Sequence, residues 1–277
     1  MPVISPTKIR KDYKAMITQP ERREIAIYSR EELCGGYFIL WIWDEELSKK
    51  SFPGQFFEIR AHASLHDAWD SQHLPKLFKP ISVYDNSGGR IGFFIKNVGP
   101  GTSALARLKA GDMLELIGPL GNGFPIVQGR RVMLLSGGIG YPPLWYLQKE
   151  LIKHNLIFWL HGGACQEDVF PCDEMWTLDG SMGKKGMVTQ GMAELIEAKK
   201  IDLIYSCGPI SMLKASAQIA QQFGIEHYAS LEAYMACGIG VCHGCVVPVG
   251  RVDNWDYLRV CKEGPVFNAA DVLWSKI

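Results

Sequence analysis

The sequence of 277 residues predicts a β barrel, then an α/β domain, and finally a small cysteine-rich domain. Short segments rich in β-branched and aromatic residues, separated by turn residues, fill the chain up to about residue 128. After Arg130, apolar strand-like segments alternate with helical ones, and four cysteines cluster near the end. These three observations divide the chain into residues 22–128, 129–231 and 232–277.

The first domain contains six segments with the composition of β-strands: REIAIYSREE, YFILWIWDEE, QFFEIRAH, PISVYDN, RIGFFIKNV and DMLELIGP. Six short strands at close spacing predict a small closed barrel. Between residues 62 and 78 the pattern is interrupted by a polar segment that holds His62, His66 and His73. Their irregular spacing favours a solvated loop over a metal site.

The second domain begins with RVMLLSGG, a strand, and YPPLWYLQKELIKH, a helix with Pro142 or Pro143 in its first turn. Further strands are predicted in NLIFWLHGG, EMWTLDGS, IDLIYSCGP and IEHYASLE, and further helices in GMAELIEAKK and ISMLKASAQIAQQFG. Strands that alternate with helices predict a parallel sheet.

Two glycine turns follow strands of this sheet, SGGIG at 136–140 and SCGP at 206–209. Backbone N–H groups at the start of a helix suit a pyrophosphate, and ligands of open α/β sheets lie at the carboxyl ends of the strands. The full G-x-G-x-x-G pattern is absent, so an ordinary tight turn stays open for each motif alone. Together the two turns favour a nucleotide site.

The third domain carries Cys237, Cys242, Cys245 and Cys261 in the pattern C-x4-C-x2-C-x15-C. This is the plant-type spacing for a 2Fe–2S cluster. A structural zinc site usually takes its cysteines as two short-spaced pairs, so zinc is disfavoured but stays open, as do disulfides. Glycines at 238, 240 and 244 allow backbone N–H groups to approach cluster sulfur atoms.

Composition excludes some classes of partner. The 29 Lys and Arg residues balance 29 Asp and Glu residues, which removes the electrostatic case for nucleic acid or an acidic membrane surface. No apolar stretch approaches 18 residues, and no apolar segment follows the basic residues at the start. We therefore expect a cytoplasmic protein.

A series of motifs then resembles the ferredoxin–NAD(P) reductase superfamily across residues 22–270: FPGQF, KPIS, VGPGT, GDMLELIGPLGNGFP, GGIGYPPL, DGSMGKKGMVT, CGPISML and CGIGVCHGC with VCKEGPVF. The cysteine-rich tail is most similar to electron transfer subunits of NAD-dependent dihydroorotate dehydrogenases. The resemblance implies a ferredoxin-reductase-like fold with FAD on the barrel, NAD(H) on the α/β domain and a C-terminal 2Fe–2S domain.

The resemblance also implies site residues. The candidates for FAD are Lys79, Pro80, Ile81, Ser82, Phe94, Ile95, Lys96, Gly101 and Thr102. The candidates for NAD(H) are Gly138, Gly140, Cys207 and Gly208, with Cys207 near the nicotinamide and no acid–base pair required. Lys79 replaces the arginine usual in this superfamily, which keeps the charge but loses the bidentate fork.

The implied activity is electron transfer between NAD(H), FAD, the cluster and a separate FMN-containing subunit that oxidises dihydroorotate in pyrimidine biosynthesis. Two alternatives stay open: the same relay for an anaerobic sulfite reductase, a hydrogenase or a bifurcating transhydrogenase, or a noncatalytic module held together by zinc. The segment HGGACQED lacks an arginine for a 2′-phosphate and so favours NADH. Residues 1–21 and the histidine-containing segment 62–78 are additions to the barrel of the superfamily.

Overall fold

The computed structural model describes residues 19–62 and 77–277. The predictions for His66, His73 and residues 1–18 fall on segments outside these ranges. Within the described ranges, no helix combines the length and the apolar character needed to span a membrane.

The first domain is a closed barrel of six antiparallel strands, as the sequence predicts. Its strands are β1 (Glu21–Glu32), β2 (Tyr37–Trp43), β3 (Phe56–Ala61), β4 (Lys79–Ser87), β5 (Arg90–Lys96) and β6 (Met113–Leu120). They close in the order β1-β2-β5-β4-β3-β6. Apolar side chains from every strand fill the interior, among them Phe38, Phe57 and Phe93.

Strand β2 explains the unbroken apolar run YFILWIW. Phe38, Leu40 and Ile42 point into the barrel core. Tyr37, Ile39 and Trp41 alternate with them and form a second cluster outside the barrel. Phe170 of the α/β domain packs in that second cluster. The strand is therefore buried on both faces because the second domain covers its outer face.

The predicted strand YFILWIWDEE is wrong beyond Trp43. Asp44 begins helix α1 (Glu45–Lys50), and its Oδ1 accepts hydrogen bonds from the N–H groups of Glu46 at 3.0 Å and Leu47 at 2.9 Å. An aspartate that caps two orphan N–H groups ends the strand and starts a helix.

The second domain is a seven-stranded sheet whose strands run in parallel except for the last. The strands are β7 (Arg131–Gly137), β8 (Leu156–Gly163), β9 (Glu174–Thr177), β10 (Lys184–Lys185), β11 (Leu203–Cys207), β12 (Glu226–Ser230) and β15 (Val266–Asn268), with β13 and β14 lying outside this sheet. The sheet order is β10-β9-β8-β7-β11-β12-β15. The predicted alternation of strands and helices is confirmed by α3 (Tyr141–Leu151), α4 (Met192–Lys199) and α5 (Ile210–Phe223).

Three features were not predicted. Residues Pro100–Ala106 form helix α2, so Gly101 and Thr102 lie in its first turn rather than in a plain loop. In the cysteine-rich domain, β13 (Val246–Arg251) and β14 (Asn254–Arg259) form a hairpin. Strand β15 then pairs antiparallel with β12, so the end of the chain completes the sheet of the second domain.

Helix α3 fixes the two larger domains against each other. The Tyr146 hydroxyl donates to the Ser51 carbonyl at 3.0 Å and accepts from Asn86 Nδ2 at 2.9 Å. Lys149 Nζ donates to Asp85 Oδ1 at 2.5 Å. Because these contacts join α3 to the barrel, they fix the relative position of the two domains that form the crevice.

Candidate cofactor and cluster sites

A cavity of about 250 Å³ lies where the barrel, the sheet and the start of the cysteine-rich domain meet. Seven of the nine predicted FAD residues line it: Pro80, Ile81, Ser82, Phe94, Ile95, Lys96 and Thr102. Strands β4 and β5 are neighbours in the barrel, which brings their lining residues to one side of the cavity. The residues present therefore fit a flavin ring held at the barrel edge.

The remaining two predicted FAD residues, Lys79 and Gly101, contact each other and do not line this cavity. A Cβ atom on Gly101 would lie 2.1 Å from Lys79 Cε, so the aliphatic part of the lysine side chain packs directly against the glycine. Thr102 Oγ1 accepts hydrogen bonds from the N–H groups of Val98 at 2.9 Å and Gly99 at 3.1 Å. The threonine hydroxyl thus stabilises the turn that begins helix α2.

Sequence reasoning missed the segment from Ser230 to Met235, which lines the same cavity. Among the described residues of this lining, Glu232 is the one that carries a carboxylate, and desolvation raises the pKa of this side chain. Cys207 also lines this cavity, and burial raises the pKa of its thiol. The segment carries no motif of its own, but it runs directly into the cysteine cluster.

A larger cavity of about 480 Å³ opens at the carboxyl ends of the parallel strands. Its lining includes Gly137 at the end of β7, Gly138 and Ile139 directly after it, and Ser211 and Met212 at the start of α5. The glycine turn and the helix start supply backbone N–H groups for a pyrophosphate. This cavity therefore fits the predicted dinucleotide.

The four predicted NAD residues lie in three places, with Cys207 on the smaller cavity beside the predicted FAD residues. Gly138 lines the larger cavity, whereas Gly140 and Gly208 line neither cavity. A Cβ atom on Gly140 would lie 2.2 Å from the Cys207 carbonyl oxygen, and one on Gly208 would lie 2.9 Å from the Gly137 nitrogen. These glycines allow the turns after β7 and β11 to pack backbone against backbone.

The smaller cavity, named the flavin cavity below, adjoins the larger one, named the dinucleotide cavity. Lys96 and Ile139 line both of them, one from the barrel and one from the sheet. A ligand in the larger cavity therefore has one end next to the flavin cavity, which is the arrangement that hydride transfer between two bound cofactors requires.

A buried polar network supports the loop that borders the larger cavity. Trp159 Nε1 donates to Ser136 Oγ at 2.8 Å, so the serine hydroxyl donates in turn to His161 Nδ1 at 2.7 Å. His161 then carries its proton on Nε2 and donates to the Asp168 carbonyl at 3.1 Å. Burial lowers the pKa of His161 to about 4, so this support is uncharged at neutral pH.

The four predicted cluster cysteines lie in two pairs. Backbone N–H groups of Val241 and Cys242 each lie 3.4 Å from Cys237 Sγ, and the Cys261 N–H lies 3.5 Å from Cys245 Sγ. Cys242 and Cys237 interact through their side chains, as do Cys261 and Cys245. Two thiols for each of two irons is the distribution that a 2Fe–2S cluster needs.

One thiol of each pair is readily ionised. Burial tends to raise the pKa of Cys237, but loop N–H groups and Cys242 together lower it to about 7. The hydrogen bond from Cys261 lowers the pKa of Cys245 and raises that of Cys261. Thiolates are the form that binds metal.

The paired arrangement differs from a zinc site. Among residues 19–62 and 77–277, no group of three or more His, Cys, Asp or Glu side chains is arranged to hold a single metal ion. A structural zinc ion needs four ligands around one point. The two thiol pairs match the two cysteines per iron of the 2Fe–2S cluster that the cysteine spacing predicts.

Arg259 holds the cysteine loop in place. Its guanidinium donates to the Gly240 carbonyl at 2.6 Å, and its Nε donates to Glu263 Oε2 at 3.0 Å. Gly238 and Gly240 adopt φ values of 64° and 81°, which permit the tight winding of the loop. The loop is thus fixed by charge-assisted hydrogen bonds from the hairpin beside it.

Glu58 on β3 places a buried carboxylate under the cysteine loop. It is 1% exposed, and neither carboxylate oxygen has a hydrogen-bond partner among the described residues. A Cβ atom on Gly238 would lie 2.5 Å from Glu58 Cγ. Burial raises the pKa of Glu58 to about 7, with Lys79 opposing and the charges of Cys237 and Cys245 reinforcing this shift.

We expect Glu58 to make stability fall as pH rises. Its pKa is about 7 in the folded chain, against an ordinary value of 4.5. The free energy of unfolding is therefore unaffected by Glu58 below pH 4.5 and falls as the pH rises to 7, because the folded state holds the proton more tightly than the unfolded state. Glu58→Gln should remove this loss and gain about 3 kcal/mol over the wild type at pH 8. Urea unfolding of iron-free protein across this pH range measures it; parallel pH profiles of both proteins would contradict the expectation.

The exposed side of the loop carries apolar side chains as well as His243. Cys242 is exposed, whereas Cys245 and Cys261 are buried. Tyr234, Ile239 and Val241 are 100%, 44% and 73% exposed. Exposed apolar side chains near an exposed cluster cysteine form a surface suited to contact with another protein.

Comparison with known proteins agrees with this geometry. Residues 232–273 match the model of the iron-sulfur cluster binding domain of dihydroorotate dehydrogenase B. The dihydroorotate dehydrogenase B (NAD(+)) electron transfer subunit of Caldanaerobacter subterraneus subsp. tengcongensis is 38% identical over 82% of this chain and 89% of its own length. The subunit of the same name from a Geobacillus species is 34% identical over 91% of this chain and 99% of its own length.

Solved structures give the same fold. A chain of the NADH-dependent reduced ferredoxin-NADP oxidoreductase, described in connection with flavin-based electron bifurcation, has a TM-score of 0.77, 29% identity, and coverage of 91% of this chain and 90% of its own. A Neisseria gonorrhoeae ferredoxin NADP+ reductase with bound FAD and NADP, at 16% identity and a TM-score of 0.59 over 73% of this chain and 92% of its own, shares the fold. With identities above 30% over most of both chains, this protein belongs to the family of electron transfer subunits of dihydroorotate dehydrogenase B.

Proposed function

We propose that this chain is an iron–sulfur flavoprotein subunit that carries electrons between NAD(H) and a partner catalytic subunit through FAD and a 2Fe–2S cluster. One observation carries the proposal: the dinucleotide cavity adjoins the flavin cavity at Lys96 and Ile139, and the flavin cavity reaches Met235, two residues before Cys237. The three sites follow one another in the order that electron transfer requires.

We assign residues 22–128 to FAD binding, 129–231 to NAD(H) binding and 232–277 to the cluster. In the dinucleotide site, the turn at Gly138 offers backbone N–H groups to the pyrophosphate. Gly140 and Gly208 allow the turns after β7 and β11 to pack closely against each other next to the site. Cys207 then reaches the flavin cavity, where the nicotinamide would arrive.

In the flavin site, Pro80 to Ser82 and Phe94 to Lys96 form the wall on the barrel side, and Ile139 and Pro142 face them from the α/β domain. This lining is largely apolar, which excludes water from the region of hydride transfer. When bound, FAD would supply the exchange between two-electron hydride chemistry and one-electron transfer.

In the cluster site, Cys237 with Cys242 would hold one iron, and Cys245 with Cys261 would hold the other. Cys245 and Cys261 are buried, whereas Cys242 is exposed in the same loop as the exposed Ile239 and Val241, and Tyr234 is exposed just before that loop. We place the docking surface of the partner at these three side chains, because a cluster with a thin protein cover can exchange electrons across an interface.

The partner that family membership supports is an FMN-containing subunit that oxidises dihydroorotate in the cytoplasm, as part of pyrimidine biosynthesis. We assign dihydroorotate oxidation to that second subunit, because the flavin cavity of this chain lies between the dinucleotide cavity and the cysteine loop. NADH is the expected dinucleotide.

Reconstitution tests this proposal. The isolated chain should reduce an artificial acceptor with NADH and show no dihydroorotate oxidation, and mixing with the FMN subunit should produce dihydroorotate-dependent reduction of NAD+. Tyr234→Ala, at the exposed loop, should weaken assembly, whereas Tyr28→Ala on the barrel, which is 53% exposed, is the matched control. Dihydroorotate oxidation by the isolated chain at the rate of the complex would contradict the proposal.

A second candidate is the same relay with another electron acceptor. The similarity to the NADH-dependent reduced ferredoxin-NADP oxidoreductase at a TM-score of 0.77 favours it over unrelated functions. Affinity purification from the source organism distinguishes the two, because recovery of a flavin subunit other than a dihydroorotate dehydrogenase would redirect the assignment.

A further inference from the structure

Asp168 is a charged residue of the dinucleotide cavity for which the sequence analysis gave no role. It lies in the loop after β8, and it lines the larger cavity. Its Oδ1 accepts two hydrogen bonds from the barrel, from the Tyr37 hydroxyl at 2.7 Å and from Lys96 Nζ at 2.6 Å. The carboxylate thus joins the two domains at the mouth of the crevice.

The position of Asp168 is fixed from its own domain as well. Its carbonyl accepts the hydrogen bond from the buried His161, and a Cβ atom on Gly163 would lie 2.8 Å from Asp168 Cβ. On the barrel side, a Cβ atom on Gly35 would lie 2.9 Å from Glu167 Cβ. A side chain held this closely is placed in advance of ligand binding.

One oxygen of this carboxylate is available to a ligand. Among the described residues, Asp168 Oδ2 contacts the Cys165 thiol, a weak donor, at 4.0 Å, and the Ala164 N–H also interacts with the carboxylate, which leaves lone pairs for a further donor. Burial tends to raise the pKa of Asp168, but the hydrogen bonds from Lys96 and Tyr37 hold it below its ordinary value. The carboxylate is therefore ionised and accepts hydrogen bonds at neutral pH.

The position of Asp168 in the cavity determines which part of a bound dinucleotide lies next to its carboxylate. Lys96, its ion-pair partner, lines both cavities, so Asp168 lies at the end of the dinucleotide cavity nearest the flavin. The nicotinamide must occupy that end for hydride transfer, and its attached ribose comes next. An ionised carboxylate attracts hydroxyl donors and repels phosphates, which leaves the pyrophosphate to the turn at Gly138.

We infer that Asp168 is a positioning residue that binds the hydroxyls of the ribose on the nicotinamide side of NAD(H). This inference rests on the proposed function, because it takes NAD(H) as the ligand of the larger cavity. Tyr37 and Lys96 aim the carboxylate by occupying Oδ1. The ribose contact sets the depth at which the nicotinamide enters the flavin cavity.

The test uses the full chain with its FAD and cluster, and two probes: NADH, and an NADH analogue whose nicotinamide-side ribose lacks both hydroxyls. Wild-type protein should bind the analogue about 10- to 100-fold more weakly than NADH, the effect of one charge-assisted hydrogen bond. Asp168→Asn should bind both probes with similar affinity and raise the KM for NADH, with flavin content unchanged.

Asp85→Asn is the matched control, because Asp85 also forms an ion pair between the domains, with Lys149, but does not line either cavity. It should retain the wild-type preference for NADH over the analogue. The inference is overturned if Asp168→Asn keeps the wild-type discrimination, or if it loses flavin or melting temperature beyond the loss in Asp85→Asn. A wild-type chain that takes no electrons from NADH overturns the proposed function as well, which separates the two failures.

Discussion

Replacement of Cys245 by serine is expected to abolish iron and sulfide binding and to stop electron delivery to the partner subunit. Cys245 is 2% exposed and accepts hydrogen bonds from Cys261, so a serine at this position removes a buried thiolate that the chain does not replace. NADH should still reduce the bound flavin, because neither cavity is lined by Cys245. Iron and sulfide analysis, with NADH reduction followed at flavin wavelengths, measures both effects.

Cys34→Ser is the control for this substitution. Cys34 is exposed and lies in a short turn between β1 and β2, so its loss should leave the iron content at the wild-type value. Full iron and sulfide content in Cys245→Ser would show that the cluster is held by other residues.

Substitution of Gly140 by alanine is expected to destabilise the fold by about 3 kcal/mol or more, because backbone atoms cannot move aside as a flexible side chain can. The new Cβ would lie 2.2 Å from the Cys207 carbonyl oxygen and 2.6 Å from the Gly208 nitrogen. Separation of these two turns would also displace Cys207 from the flavin cavity. We therefore expect weaker binding of both FAD and NADH, measured by flavin retention and by dinucleotide titration.

Gly99→Ala is the control for the Gly140 substitution. Gly99 has an extended backbone with φ −178°, and a Cβ atom there would meet no other atom within 4 Å. Its free energy of unfolding should stay within about 0.5 kcal/mol of the wild type. Equal unfolding free energies for the two variants would refute the role given to Gly140.

The elements of the fold follow largely from local sequence. Strand periodicity and turn residues predict the six barrel strands, and the alternation after Arg130 predicts the parallel sheet. The exceptions depend on contacts that sequence periodicity does not show. Asp44 ends β2 because its side chain caps a helix, and the three-residue strand β15 exists because β12 offers it an edge.

The cofactor sites can be predicted from the sequence less completely than the fold. The resemblance to the reductase superfamily implies the residues on the barrel side of the flavin cavity, and the spacing of the four cysteines predicts the cluster. Asp168 bonds to Tyr37 and Lys96 across 131 and 72 positions of the chain. Such a contact depends on how two domains pack. Glu232 likewise reaches the flavin cavity only because the segment after β12 crosses it.

Reduction of the full chain by NADH under anaerobic conditions, followed by optical and electron paramagnetic resonance spectroscopy, tests the central claim most directly. The account predicts bleaching of a flavin band together with the signal of a reduced 2Fe–2S cluster, with two irons and two sulfides per chain. A colourless protein that contains one zinc ion and no sulfide would contradict it.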